Sequence, residues 1–172
     1  MIGNDIVDLD KAKQDSDIFR PRYLEKICTK EEIELVLSSY NPIYTFWRLW
    51  TMKESVYKAF QRKFGFKPVF NPFAFMCRFD DSDVGNVSYH GHQVSTKSIQ
   101  HEDYMYSEVL NSEGNKRYFG TTTDFLLNLK TEFNLKSLPE IRKIAGMPNL
   151  LLLDEILPLS KTHHGKFQAF QY

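Results

Sequence analysis

The segment TFWRLWTMKESVYKAFQRK, residues 45–63, constrains the fold more than any other part of this chain. With Phe46 at zero on a wheel advancing about 100° per residue, Phe46, Leu49, Trp50, Val56, Tyr57 and Phe60 gather in one arc, the buried stripe of an amphipathic helix. Lys53 falls inside that arc. Glu54 and Lys58 stand one turn apart on its edge, an acid and base pair flanking the apolar face. Taken alone, such a pair is a solvated ion pair worth about 0.2–0.5 kcal/mol, and a lysine like Lys53 snorkels to water.

A second segment, GNDIVDLD (residues 3–10), poses a problem of charge. Ile6, Val7 and Leu9 favour a pleated, buried conformation, and a carboxylate placed among them needs a partner that offsets its desolvation. The partner that suits it is a cation. Asp8 and Asp10 have the opposite strand parity to Asp5 and point away from its face if the strand runs straight; those two read as a cap or a solvated strand end.

The rest of the chain predicts a mixed α+β domain. A strand is expected over 2–9, one or two short helices over 17–39 with Thr29 opening the second, strands in FAFMCRF, GNVSYHGHQVS and YMYSEVL, helices over 123–134 and 137–145, and a closing strand over 165–172. No repeat, low-complexity run or linker divides the 172 residues, so a single domain spanning 1–172 is expected. The 22 acidic and 22 basic residues cancel, which gives no global argument for nucleic acid or membrane as partner. Two cysteines without CxxC spacing, Cys28 and Cys77, support neither a disulfide framework nor a cysteine zinc site, as in a reduced cytoplasmic setting. The acidic start MIGNDIVDLDKAKQD is unlike a signal peptide, and no apolar run approaches the roughly 18 residues that span a bilayer.

WTMKESVYKAF (50–60) and GNDIVDL together resemble the two signature segments of the 4′-phosphopantetheinyl transferase superfamily. Trp50, Lys53, Glu54, Ser55, Lys58 and Ala59 match the first, and Gly3 and Asp5 the second. AGMPNLLLLDEILPLSKTHHGKFQAF (145–170) is similar to the family's closing region, with Gly146, Pro148, Ser160, Thr162 and His163 in its places; Lys161 departs from it, where an apolar residue is usual. Residues from 64 to about 140 carry no motif that aligns.

The resemblance implies an antiparallel sheet with the long signature helix packed on it, and an enzyme that moves 4′-phosphopantetheine from coenzyme A to a serine of an apo acyl carrier protein. That reaction releases adenosine 3′,5′-bisphosphate and uses Mg2+, which takes oxygen ligands, commonly one or two carboxylates plus substrate phosphates. Carried over residue by residue, Asp5 and Glu54 would hold the metal, and Glu54 would also be the general base. Lys58 would bind the coenzyme A phosphates and stabilise the leaving group, with Lys53 supporting the same anion. Ser160, Thr162 and His163 would contact the nucleotide phosphates; a packed, hydrogen-bonded histidine is the other reading of His163, and His164 reads as a bystander.

Val7 stands where the larger two-repeat members have a second acid, so the pattern resembles the single-repeat holo-acyl-carrier-protein synthases of fatty acid biosynthesis. Those associate, usually as trimers, because a neighbour completes the cleft, and a homo-oligomer is expected here. Arg20, Arg22 and Lys26 form one basic cluster, and Lys58, Arg62, Lys63 and Lys67 another, suited to steering an acidic carrier and an anionic cofactor. Phe64 and Phe66 beside the second belong either to a docking surface or to the core. Two rival readings share these features: a non-catalytic member of the superfamily, and a binding module for a coenzyme A-like nucleotide or an acidic protein.

Overall fold

The computed structural model describes residues 1–65, 68–80, 82–110, 114 and 116–172. It begins with β1 (Asn4–Asp8), α1 (Leu9–Asp15), a 3-10 turn at Leu24–Lys26, α2 (Lys30–Ser38) and α3 (Pro42–Phe64). After a second 3-10 turn, Pro72–Ala74, come β2 (Met76–Phe79), β3 (Val84–Tyr89), β4 (His92–Gln100), β5 (Tyr104–Val109) and β6 (Arg117–Phe119). The chain ends with α4 (Thr122–Glu132), β7 (Glu140–Ile144), β8 (Met147–Leu152), β9 (Glu155–Pro158), β10 (Ser160–His164) and β11 (Phe167–Gln171).

The strands form three antiparallel sheets, of order β1-β5-β4-β3-β2, β10-β11-β6 and β7-β8-β9. The signature helix α3 packs on the five-stranded sheet as expected, and it is longer than its periodic stretch at both ends. Asn41 caps it by accepting from Tyr44 N, Pro42 opens it, and Gly65, in the left-handed region at φ 65°, ends it. Phe46, Leu49, Met52, Val56 and Phe60 are buried with Val7, Met105 and Val109 of the sheet, each worth about 1.5–3 kcal/mol of transfer free energy. A second core lies under α4, where Phe125 and Leu129 meet Leu150, Leu159 and Phe170.

β1 is buried on both faces. Val7 joins the core under α3, while Ile6 packs with Tyr106 and Ala169 against β11. Asp8 is a cap, as its parity implied: its carboxylate accepts from Lys11 N at the start of α1, a helix the sequence reading did not anticipate.

Three other readings are corrected. Residues 137–145 were expected to be helical, but Glu140–Ile144 is strand β7, paired along its length with β8. Pro139 disfavours helical backbone at Leu138, and Ile141 pairs across from Leu150. GNVSYHGHQVS is two strands rather than one, turning at His90 and Gly91, both at positive φ, and β4 runs on to Gln100 through the stretch expected to be polar loop. The β7-β8-β9 meander turns through Ala145-Gly146 and Leu153-Asp154, also at positive φ. Phe66 and Lys67 lie outside the described residues. Among the described residues no helix is long and apolar enough to cross a membrane.

Candidate active site

The site begins with a close approach of β1 to α3. A Cβ on Gly3 would run into the backbone oxygen of Ser55 and into Ala59, so the strand lies against the helix only because residue 3 has no side chain and residue 59 is small. This contact accounts for Gly3 in one signature segment and Ala59 in the other. It also sets Asp5, on the helix-facing side of the strand, beside the edge of α3 that carries Glu54 and Lys58.

Lys58 Nζ donates to Asp5 Oδ1 at 2.8 Å and to Asn4 O at 3.1 Å, and stands 3.9 Å from Glu54 Oε1. Thr162 Oγ1 on β10 donates to the same Asp5 oxygen at 2.9 Å. Asp5, Glu54, His163 and His164 all line one cleft of about 330 Å³, together with Tyr23, Trp47 and Trp50. Burial pushes the Glu54 carboxyl up to about 7; Lys58 opposes that rise and the Asp5 carboxylate adds to it. A side chain poised near neutrality in a cleft is the property a general base needs. Lys58 also lines a smaller recess of about 160 Å³ with Gln61, Arg62 and Lys161.

The donors fit a magnesium ion. They are hard carboxylate oxygens from two facing elements, and the Lys58 ammonium already sits where a cation between them would be favoured. Among the described residues no group of three or more His, Cys, Asp or Glu forms a ready-made cage, so water and substrate phosphate oxygens would complete the octahedron.

Lys53 is placed elsewhere, and its expected contact with the same anion as Lys58 is not met. It is fully buried, donating to Glu32 Oε2 at 2.6 Å and Ile27 O at 2.8 Å. Glu32 belongs to the capping box of α2 with Thr29, and its other oxygen accepts from Cys77 N at 2.7 Å. The lysine in the apolar arc therefore neither snorkels nor reaches the cleft: it ties α3 to the start of α2.

Ser160 Oγ is buried and accepts from Asn4 N at 3.1 Å, while His163 is exposed at the cleft. Lys161 has the opposite parity to Ser160 and Thr162; its ammonium reaches Thr122 Oγ1 over the Phe170 ring, so its departure from the motif leaves the strand register intact. Arg62, expected in a steering cluster, donates to Asn149 Oδ1, Pro148 O and Leu159 O and staples α3 to the segment before β10. The sequence reading missed His164, whose Nδ1 accepts from Asp8 N at 3.0 Å in the same cleft. An acceptor for a strand-edge amide carries no sequence signature.

The geometry and the two signature segments agree with the family match. The model of the 4′-phosphopantetheinyl transferase superfamily matches residues 1–116 of the 172, and the chain belongs to that superfamily. A search of curated proteins returned no match. β10, which brings Thr162 and His164 to the cleft, lies beyond the matched span.

Proposed function

We propose that this protein is a 4′-phosphopantetheinyl transferase that uses coenzyme A and Mg2+ to modify a serine of an apo acyl carrier protein in the cytoplasm, its one domain carrying the whole site. The observation that supports this most is the convergence of Asp5 and Glu54, from two elements, on one cleft, with the Lys58 ammonium in contact with Asp5 and 3.9 Å from Glu54. Asp5 and Glu54 would hold Mg2+, which supplies charge neutralisation on the pyrophosphate of coenzyme A when bound. Lys58, a compact ammonium, contacts the phosphates and stabilises the departing bisphosphate. Glu54, with its proton affinity raised to the neutral range, takes the proton of the carrier serine as that oxygen attacks the phosphorus. Thr162 holds Asp5 in orientation, and Ser160 supports it indirectly by fixing β1. His163 contacts the nucleotide phosphates from the cleft's rim.

The carrier docks on the side where Phe19, Arg20 and Arg22 are exposed, an apolar and basic rim suited to an acidic partner. The trimer expected from single-repeat relatives rested on a neighbour completing the cleft. β10 of the same chain brings His163 and His164 to the cleft and Thr162 to Asp5, and a homo-oligomer stays part of this reading. A carrier of fatty acid synthesis is the first substrate to try. Chromatographic detection of adenosine 3′,5′-bisphosphate tests the reading: it accumulates only when coenzyme A, Mg2+ and apo carrier are all present. Coenzyme A that binds but is never cleaved with any carrier points instead to the non-catalytic relative or binding module.

A further inference from the structure

β1 is the edge strand of its sheet, and two of its outward amides find side chains instead of a neighbouring strand. Asn4 N donates to Ser160 Oγ and Asp8 N to His164 Nδ1, at 3.1 and 3.0 Å. The second bond has a chemical consequence: with Nδ1 acting as acceptor, the imidazole carries its proton on Nε2. Among the described residues that Nε2–H has no partner. The ring is half-buried and lines the cleft shared by Asp5 and Glu54.

Position along the strand indicates what this donor meets. Asp8 lies three residues beyond Asp5, about 10 Å further along β1, so His164 is away from the ammonium of Lys58. Besides Asp5 and Glu54, the cleft that it lines is walled by Ser16 and the aromatic rings of Tyr23, Trp47 and Trp50. Aromatic walls with one oriented donor suit a neutral chain with amide carbonyls better than a phosphate. With the phosphates at Asp5, Glu54 and Lys58, the pantetheine arm is the part of the substrate that extends in this direction.

We propose that His164 is a substrate-binding residue whose Nε2–H donates to an amide carbonyl of the pantetheine arm. The proposal rests on the reading of the cleft as a coenzyme A site. Asparagine and glutamine separate the two faces of the ring. In His164→Asn the amide oxygen takes the place of Nδ1 and keeps the bond from Asp8 N, but the donor in the cleft is lost. In His164→Gln the amide nitrogen takes the place of Nε2, and the strand-edge acceptor is lost instead.

Titration calorimetry with coenzyme A and with adenosine 3′,5′-bisphosphate, which lacks the arm, tests this on the whole chain. His164→Asn is expected to keep its melting temperature and weaken coenzyme A about 3- to 10-fold, the worth of one hydrogen bond, with the bisphosphate unchanged. His164→Gln is expected to melt lower yet keep the wild-type ratio of the two affinities. An Asn variant that binds coenzyme A like wild type, or loses both ligands equally, overturns the proposal. If the Asn variant does not fold, a Gln variant with a changed ratio overturns it. Wild-type protein that binds the bisphosphate but shows no gain from the arm rejects His164 alone, whereas binding of neither ligand rejects the coenzyme A site itself and His164 with it.

Discussion

Residues 1–116, which match the superfamily, bring the charged cluster of Asp5, Glu54 and Lys58. Residues 117–172, outside that match, bring hydroxyls and imidazoles: Ser160, Thr162, His163 and His164. The difference is one of physical demand. Neutralising a pyrophosphate and holding a cation require particular charges at particular places, while capping a strand edge requires only an acceptor within reach. A charged cleft can therefore be recognised from a short motif, while the groups that orient it are set by how β10 lies against β1.

If that division is right, the largest effect on chemistry comes from the charged half. Glu54→Gln is expected to lower the rate of transfer by about 10²–10⁴-fold, the usual worth of a general base, with the fold retained by circular dichroism. A rate within a few-fold of wild type would remove Glu54 from the chemistry.

The two lysines of α3 sharpen the contrast within the charged half. Lys53→Ala leaves Glu32 buried without its ion partner and is expected to cost about 3–5 kcal/mol in urea unfolding. Lys58→Ala, whose ammonium is partly exposed, is expected to unfold near the wild-type midpoint while turnover falls steeply. A Lys53 variant of normal stability and poor turnover would return that residue to the phosphate site.

Effects from the C-terminal half are smaller and mixed. Thr162→Val removes a donor from Asp5 and is expected to cost about 1 kcal/mol of stability, with a several-fold loss of turnover. Ser160→Ala, which uncaps Asn4 N, is expected to cost a similar stability with turnover nearly unchanged. Equal losses of turnover in the two would erase the distinction between holding the carboxylate and holding the strand.

The pH dependence reports Glu54 directly. Folded, its carboxyl titrates near 7 against an ordinary value of 4.5, so between those values the native protein keeps a proton that the unfolded chain releases. Metal-free stability is thus expected to fall as pH rises from about 4.5 to 7 and then level off. Transfer runs the other way, rising about tenfold per pH unit up to about 7 and then flattening. Saturating Mg2+, which favours the carboxylate, should move that limb to lower pH.

Legibility in the sequence follows the same division. α3 was readable because burial of one face imposes a period, β1 because its apolar residues favour a buried strand, and the helix wheel placed Lys53 on the buried side although its partner Glu32 is distant in sequence. Glu54 and Lys58 were legible as a pair one turn apart. The meander was not: its turns are Ala145-Gly146 and Leu153-Asp154 rather than the Asn-Gly type, and β7 is too short and too exposed to show alternation. His164 was invisible because its task is set by where β10 lies against β1, a long-range packing that no local pattern encodes.

The most direct test of the central claim, that this cleft transfers the arm of coenzyme A, is the intact mass of an apo acyl carrier protein after incubation with the protein, coenzyme A and Mg2+, beside a chelated control. A gain of one phosphopantetheine arm, absent in the control, is the predicted result. No gain on any of several unrelated carriers, while coenzyme A still binds, would contradict it.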